Sequence, residues 1–80
     1  LMKYLATTCG KFNIRVNSLS PGGVFDFQEK NFVKRYTKKV PLGRMTSWSD
    51  YNGPILFLAS DASSYMTGSN LIVDGGWTAW

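Results

Sequence analysis

Eighty residues with 44% hydrophobic and 18% charged content describe one small globular unit, and exclude a disordered chain. The longest apolar run, Ile55 to Ala59, is far too short to span a bilayer, so no membrane partner is expected. One cysteine, Cys9, and no histidine exclude an internal disulfide, a Ser-His or Cys-His nucleophile pair and most zinc sites, and a cytoplasmic, reducing location is expected.

Leu1 to Cys9 reads as a helix. Leu1, Leu5 and Cys9 fall on one stripe and Met2 and Ala6 on the next, as a core-facing helix needs. Gly10 is the expected stop. No cap residue precedes this pattern, and the start lacks the basic residues and long apolar core of a signal peptide, so the chain reads as beginning inside a helix. Ile14 to Leu19 reads as a β-branched strand ending at the turn Pro21-Gly22-Gly23, because Pro21 has no N–H for a central ladder. Asn17 is expected to satisfy buried backbone.

Asp26 to Lys39 reads as one amphipathic helix, broken by Pro41-Leu42-Gly43. It carries Lys30, Lys34, Arg35, Lys38 and Lys39, over half of the 9 basic residues behind a net charge of +4. Such a cluster raises nucleic acid as a partner, but no nucleic-acid module signature accompanies it. A solvated face opposite Phe32, Val33 and Tyr36 is the simpler reading, and no nucleic-acid partner is expected. Ser47 and Asp50 form a capping-box pair ahead of Tyr51, Ile55 and Leu58 at helical spacing. Gly53-Pro54 makes that helix either start late, with Asn52 as cap, or kink at the proline. Leu71-Ile72-Val73 is a continuous apolar run of the kind found in strands buried on both faces, closed by the turn Asp74-Gly75-Gly76. Cys9 is expected in the core, and a lone carboxylate at Asp74 is too little for a metal. No metal site is expected.

Two strands separated by helices imply a parallel α/β sheet joined by a crossover. Two strands alone do not cover such a sheet, and further strands are expected upstream.

Three segments carry a family resemblance. Asn13-Ile14-Arg15-Val16-Asn17-Ser18-Leu19-Ser20-Pro21-Gly22-Gly23-Val24 resembles the late strand and Pro-Gly turn of short-chain dehydrogenase/reductase enzymes. Pro41-Leu42-Gly43-Arg44-Met45 resembles the segment closing their substrate loop. Phe57 to Gly68, followed by Val73-Asp74-Gly75-Gly76, resembles their last helix, loop and strand. The match covers essentially the whole chain in the right order. The form Pro-Gly-Gly-Val-Phe-Asp and the ending Gly-Gly-Trp-Thr-Ala-Trp also resemble members of bacterial surface-sugar and flagellin-glycan pathways.

The resemblance implies an α/β fold: residues 1–80 would be a single partial domain, the last two strands and flanking helices of a Rossmann-type doubly wound parallel sheet. It implies an oxidoreductase that uses NAD or NADP to move hydride to or from a carbonyl or alcohol carbon of a small-molecule substrate. In the family, a Tyr-x-x-x-Lys pair performs the acid/base step, the lysine lowering the phenol's pKa. Here Tyr4, Tyr36, Tyr51 and Tyr65 are followed four residues on by Thr8, Val40, Ile55 and Ser69. No catalytic residue is therefore assigned; the pair would fall just before Leu1, and the 80 residues alone are expected to be inactive. Pro21, Gly22, Gly23 and Val24 match the turn that cradles the nicotinamide carboxamide, with a backbone N–H at Val24 as donor. Asp26 stands where many members place a cofactor-contacting threonine, which puts that contact in doubt. Phe25 and Phe27 either line the substrate pocket or simply pack. Family helices and the last strand pack between subunits, so a homo-oligomer, a dimer or tetramer with Trp77 buried in it, is expected. The competing expectation is a non-catalytic basic α/β fragment that binds nucleic acid or a partner chain.

Overall fold

The two strands emerge as expected, parallel and adjacent, in a computed structural model that describes residues 1–80. Helix α1 spans Met2–Cys9, strand β1 Ser18–Pro21, helix α2 Lys30–Lys38, helix α3 Asn52–Ala59 and strand β2 Asn70–Val73. Short 3-10 turns follow or precede the helices at Gly10–Phe12, Trp48–Tyr51 and Asp61–Ser63, and one ends the chain at Trp77–Ala79. In register, Ser18 pairs with Asn70 and Pro21 with Val73.

Pro21 belongs to β1, against expectation, and the ladder explains why. Ser18 N–H donates to Ser69 O at 2.9 Å and Gly22 N–H to Val73 O at 3.0 Å. Donors alternate sides along a strand, so the missing N–H of Pro21 belongs to the side facing away from β2. The strand also begins later than Ile14. Residues 14–17 are tied to the 66–69 loop mainly by side chains: Asn17 Nδ2 donates to Met66 O at 2.9 Å and its Oδ1 accepts from Ser69 N–H at 3.0 Å. Asn17 thus satisfies backbone, as read from the sequence.

The first α-helix ends at Cys9 with Gly10 as its C-cap, but without a left-handed turn there. Gly10 keeps right-handed geometry (φ −57°) and the chain tightens into a 3-10 turn; the left-handed residue is Asn13 at φ 59°, a residue type that tolerates that region. Only Ala6 of α1 is buried, while Leu1 is 94% exposed and the Leu1–Leu5 stripe faces outward. The second helix is shorter than the pattern over Asp26 to Lys39, because Glu29 caps it: the Glu29 carboxylate accepts from Asn31 and Phe32 N–H at 3.1 and 3.2 Å. α3 starts late, with Asn52 as its first helical residue and Pro54 in the first turn, where a missing N–H costs nothing.

The shape is elongated, 49 × 22 × 19 Å, with a radius of gyration of 15.5 Å, against about 12 Å for a compact domain of this length. Only Ala6, Val40, Met45, Thr46, Tyr51 and Ser63 are buried. β2 is consequently not covered on both faces: Ile72 is 52% exposed, since one chain of this length has nothing to lay over it.

Arg15 makes the strongest cross-chain clamp. Its guanidinium donates to Ser63 Oγ, Met66 O, Leu58 O and Ser60 O at 3.0–3.3 Å, tying the end of α3 to the segment before β1. Arg15→Met should lower stability by about 2–3 kcal/mol, because charge-assisted bonds are lost and carbonyls are left unpaired; urea denaturation of the intact protein checks this.

Candidate functional site

The turn after β1 is held from two sides. Gly23 N–H donates to the Tyr36 hydroxyl at 2.6 Å, and the Tyr36 ring stacks on Trp77 with centroids 4.6 Å apart at 12°. From the other side comes the strap between α2 and α3. Thr46 N–H donates to Gly23 O at 2.9 Å and Phe25 N–H to Thr46 O at 2.9 Å, forming a parallel bridge between Val24 and Thr46. Thr46 Oγ1 reinforces this by donating to Gly23 O at 3.2 Å, and it lies 2.8 Å from the Tyr51 hydroxyl. The bridge engages the neighbours of Val24, while Val24's own N–H has no hydrogen-bond partner in the chain.

The glycines are required by close approach. A Cβ on Gly22 would stand 2.9 Å from the Asp74 Cα, and one on Gly23 2.6 Å from the Tyr36 ring. Ser20, Pro21, Gly22, Gly23, Tyr36 and Asp74 border one cleft of about 480 Å³. Phe25 and Phe27, with ring centroids 5.1 Å apart, border a separate cleft of about 520 Å³ with Val33, Lys30 and Lys34. Phe27 takes φ 55°, and the turn is braced by Gln28, whose amide donates to Val24 O at 2.9 Å and accepts from Asp26 N–H at 2.8 Å.

The structure thus gathers Pro21, Gly22 and Gly23 on one cleft, Phe25 and Phe27 on another, and leaves Val24 between them with a free donor. Tyr36, Thr46, Asp74 and Trp77 are neighbours that sequence reasoning did not attach to the turn. Only Tyr36 left a signal, a phenol on the apolar face of α2. Asp74 is a capping group: its carboxylate accepts from Thr78 Oγ1 at 2.7 Å, Gly76 N–H at 2.9 Å and Thr78 N–H at 3.1 Å. The Thr78 hydroxyl foremost holds its pKa below the usual carboxylate range. Asp50 is lowered further, first by the Arg44 guanidinium and then by Ser47 N–H.

Comparison with known proteins identifies the family. A family model described as "Enoyl-(Acyl carrier protein) reductase" matches residues 1–78. The D-arabinitol 2-dehydrogenase (ribulose-forming) of Candida tropicalis is 44% identical over 88 residues, covering 100% of this chain and 31% of that protein. The NADH-dependent L-xylulose reductase of Ambrosiozyma monospora is 42% identical over 88 residues, covering 100% of this chain and 32% of that protein. A short-chain dehydrogenase from Leptospira borgpetersenii with bound NAD+ superposes with a TM-score of 0.94 at 49% identity, over 96% of this chain and 30% of that one. The chain belongs to the short-chain dehydrogenase/reductase family, and its fold is part of that family's Rossmann-type α/β sheet. It spans about a third of the length of the curated relatives it matches.

Gly22→Ala should destabilise by about 1–3 kcal/mol, and by more than Gly23→Ala, because Asp74 backbone cannot give way whereas the end of the Tyr36 side chain can; chemical denaturation of the intact protein ranks the two. Asp50 has a lowered folded pKa, so its contribution is complete above the usual carboxylate value of 3.8 and is lost only as pH falls through the lower folded value. Asp50→Asn should therefore change the melting temperature by the same small amount at about pH 7 and about pH 5.

Proposed function

We propose that residues 1–80 are the C-terminal part of an NAD(H)-dependent oxidoreductase acting on the secondary alcohol or ketone carbon of a polyhydroxylated small molecule. The observation that carries this is the unpartnered N–H of Val24 on a turn whose two glycines keep side chains out of the way. A fixed backbone donor of this kind suits a carboxamide oxygen. The site lies at the C-terminal ends of parallel strands, where α/β sheets bind their ligands. NADH and NAD+ are named for two relatives and NAD(P)+ for the rhamnose dehydrogenases, which supports NAD(H) as the common cofactor, and the arabinitol and xylulose of two relatives favour a sugar-like substrate. A sugar-like substrate also fits the resemblance to surface-sugar enzymes.

The nicotinamide, when bound, accepts or supplies the hydride. Val24 N–H fixes the rotation of the carboxamide, while Pro21, Gly22 and Gly23 form the wall beside it. Phe25 and Phe27 cover the carbon skeleton of the substrate and exclude water. The acid/base phenol is assigned to residues outside this chain, since none of its four tyrosines has a lysine at the required spacing. The 80 residues alone are therefore inactive and bind dinucleotide weakly. One backbone hydrogen bond nets about 0.5–1.5 kcal/mol, whereas a micromolar complex needs about 8 kcal/mol.

No helix is long and apolar enough to cross a membrane, and free Cys9 fits a cytoplasmic setting. The half-exposed Trp77 and the exposed Trp80, anchors of the kind enriched at interface centres, support a homo-oligomer of the intact protein, a tetramer with Trp77 enclosed. The alternative of a non-catalytic binding fragment is disfavoured, since the likeness to enzymes runs the full length of the chain.

The intact protein should oxidise NADH in the presence of ribulose or xylulose and reduce NAD+ with arabinitol. Phe25→Ala should raise the substrate KM about tenfold, the cost of losing one ring contact to the substrate, with cofactor affinity unchanged. Absence of turnover with all three, together with no NADH binding by calorimetry, would overturn the reading. A monomer in sedimentation at micromolar concentration would overturn the oligomer.

A further inference from the structure

The Arg44–Asp50 ion pair sits on the surface, its side chains 57% and 26% exposed, where such pairs add little stability. Its geometry is more specific than stability requires. Arg44 grips Asp50 with both terminal nitrogens, at 2.8 and 3.0 Å. Arg44 Nη1 also donates to Met45 O at 3.2 Å, and Asp50 Oδ2 accepts from Ser47 N–H at 2.8 Å. The loop between the two charges carries Thr46 at its buried centre.

Met45 O belongs to the same peptide group as Thr46 N–H, which donates to Gly23 O. Ser47 N–H belongs to the same peptide group as Thr46 O, which accepts from Phe25 N–H. The two charged side chains therefore hold the outer ends of the two peptide groups whose inner ends hold the turn. A cation at a carbonyl makes the attached N–H a better donor, and an anion at an N–H makes the attached carbonyl a better acceptor, so the bonds in each chain reinforce one another.

We infer that Arg44 and Asp50 are positioning residues for the nicotinamide: their ion pair fixes the Thr46 peptides against Gly23 and Phe25, and so aims the Val24 N–H between them. The inference rests on the reading of residues 21–24 as the nicotinamide wall. Neither charged residue touches the cofactor; both act through Thr46. Their loss should weaken recognition of the nicotinamide while sparing the adenosine and pyrophosphate, which this turn does not hold.

The test is calorimetric titration of the intact protein with NADH and with ADP-ribose, which lacks the nicotinamide. In the unaltered protein NADH should bind more tightly than ADP-ribose. In Arg44→Gln and in Asp50→Asn, NADH affinity should fall about tenfold, as for one well-aligned hydrogen bond, and ADP-ribose affinity should stay within about twofold. Arg44→Lys, which keeps the charge but not the fork, should lose less, and it remains informative if the Gln variant does not fold. Unchanged NADH affinity in the variants would overturn the relay, as would an equal loss for both ligands, which marks a merely structural loop. If the unaltered protein binds both ligands equally, the reading of the turn fails and the relay with it; if it binds neither, the proposed function itself fails.

Discussion

The pairing of the Thr46 backbone with Gly23 and Phe25 organises most of what is ordered in this chain. The strap from Val40 to Tyr51 contains four of the six buried residues, Val40, Met45, Thr46 and Tyr51, so the small core lies along the strap and not under the sheet. The strap crosses the C-terminal ends of both strands. At β1 it holds the turn through Thr46, and at β2 Leu42 N–H donates to Gly75 O at 3.1 Å. Gly75 and Gly76 take left-handed φ values of 67° and 96°, and a Cβ on either would meet Val40 or Pro41 within 3 Å. The glycines after β2 let the strap pass close over that strand's end, while those after β1 make room for Asp74 and the Tyr36 ring.

That arrangement explains how a chain with so little core can hold a defined site. Two strands give β1 one paired edge and leave the other open, and most large apolar side chains of α1 and α3 face outward. Counted within these 80 residues, about a third of the relatives' length, the hydrophobic term is small, because it scales with area withdrawn from water. Directional bonds carry the local order instead: the Arg15 clamp, the Asn17 pair, the Asp74 cap and the Thr46 bridge. No buried side-chain nitrogen or oxygen lacks a partner, which matters more where apolar burial is small, since each orphan would cost about 1–3 kcal/mol.

Element types were legible in the sequence where a local rule decides them. Period and punctuation located the three helices and two strands, and the capping pair Ser47 and Asp50 forms as its spacing implies. Boundaries failed where a side chain overrode the pattern. Glu29 caps α2 three residues into the amphipathic stretch that begins at Asp26, and Asn13 takes the left-handed role expected of Gly10. The turn Pro21 to Val24 was visible from its residue types and its family resemblance. Its bracing was not: Tyr36 lies 13 residues from Gly23 and Thr46 lies 23 residues from it. Nothing in a period or motif announces a hydrogen bond across that separation.

The value of bracing lies in when the ordering cost is met. A flexible turn would have to lose backbone freedom at the moment of binding, about 1–2 kcal/mol for each residue fixed, which is as large as the hydrogen bond it would make. Here Gly23 is bound at both its N–H and its carbonyl, and Phe25 at its N–H, so the peptide between them has little freedom left to lose. The Val24 N–H is then a donor set in place by the fold, and a carboxamide meeting it gains the bond nearly in full. Under the proposed function, the orientation of that bond would matter more than its strength, because hydride transfer depends on how a ring is held as steeply as on whether it is held.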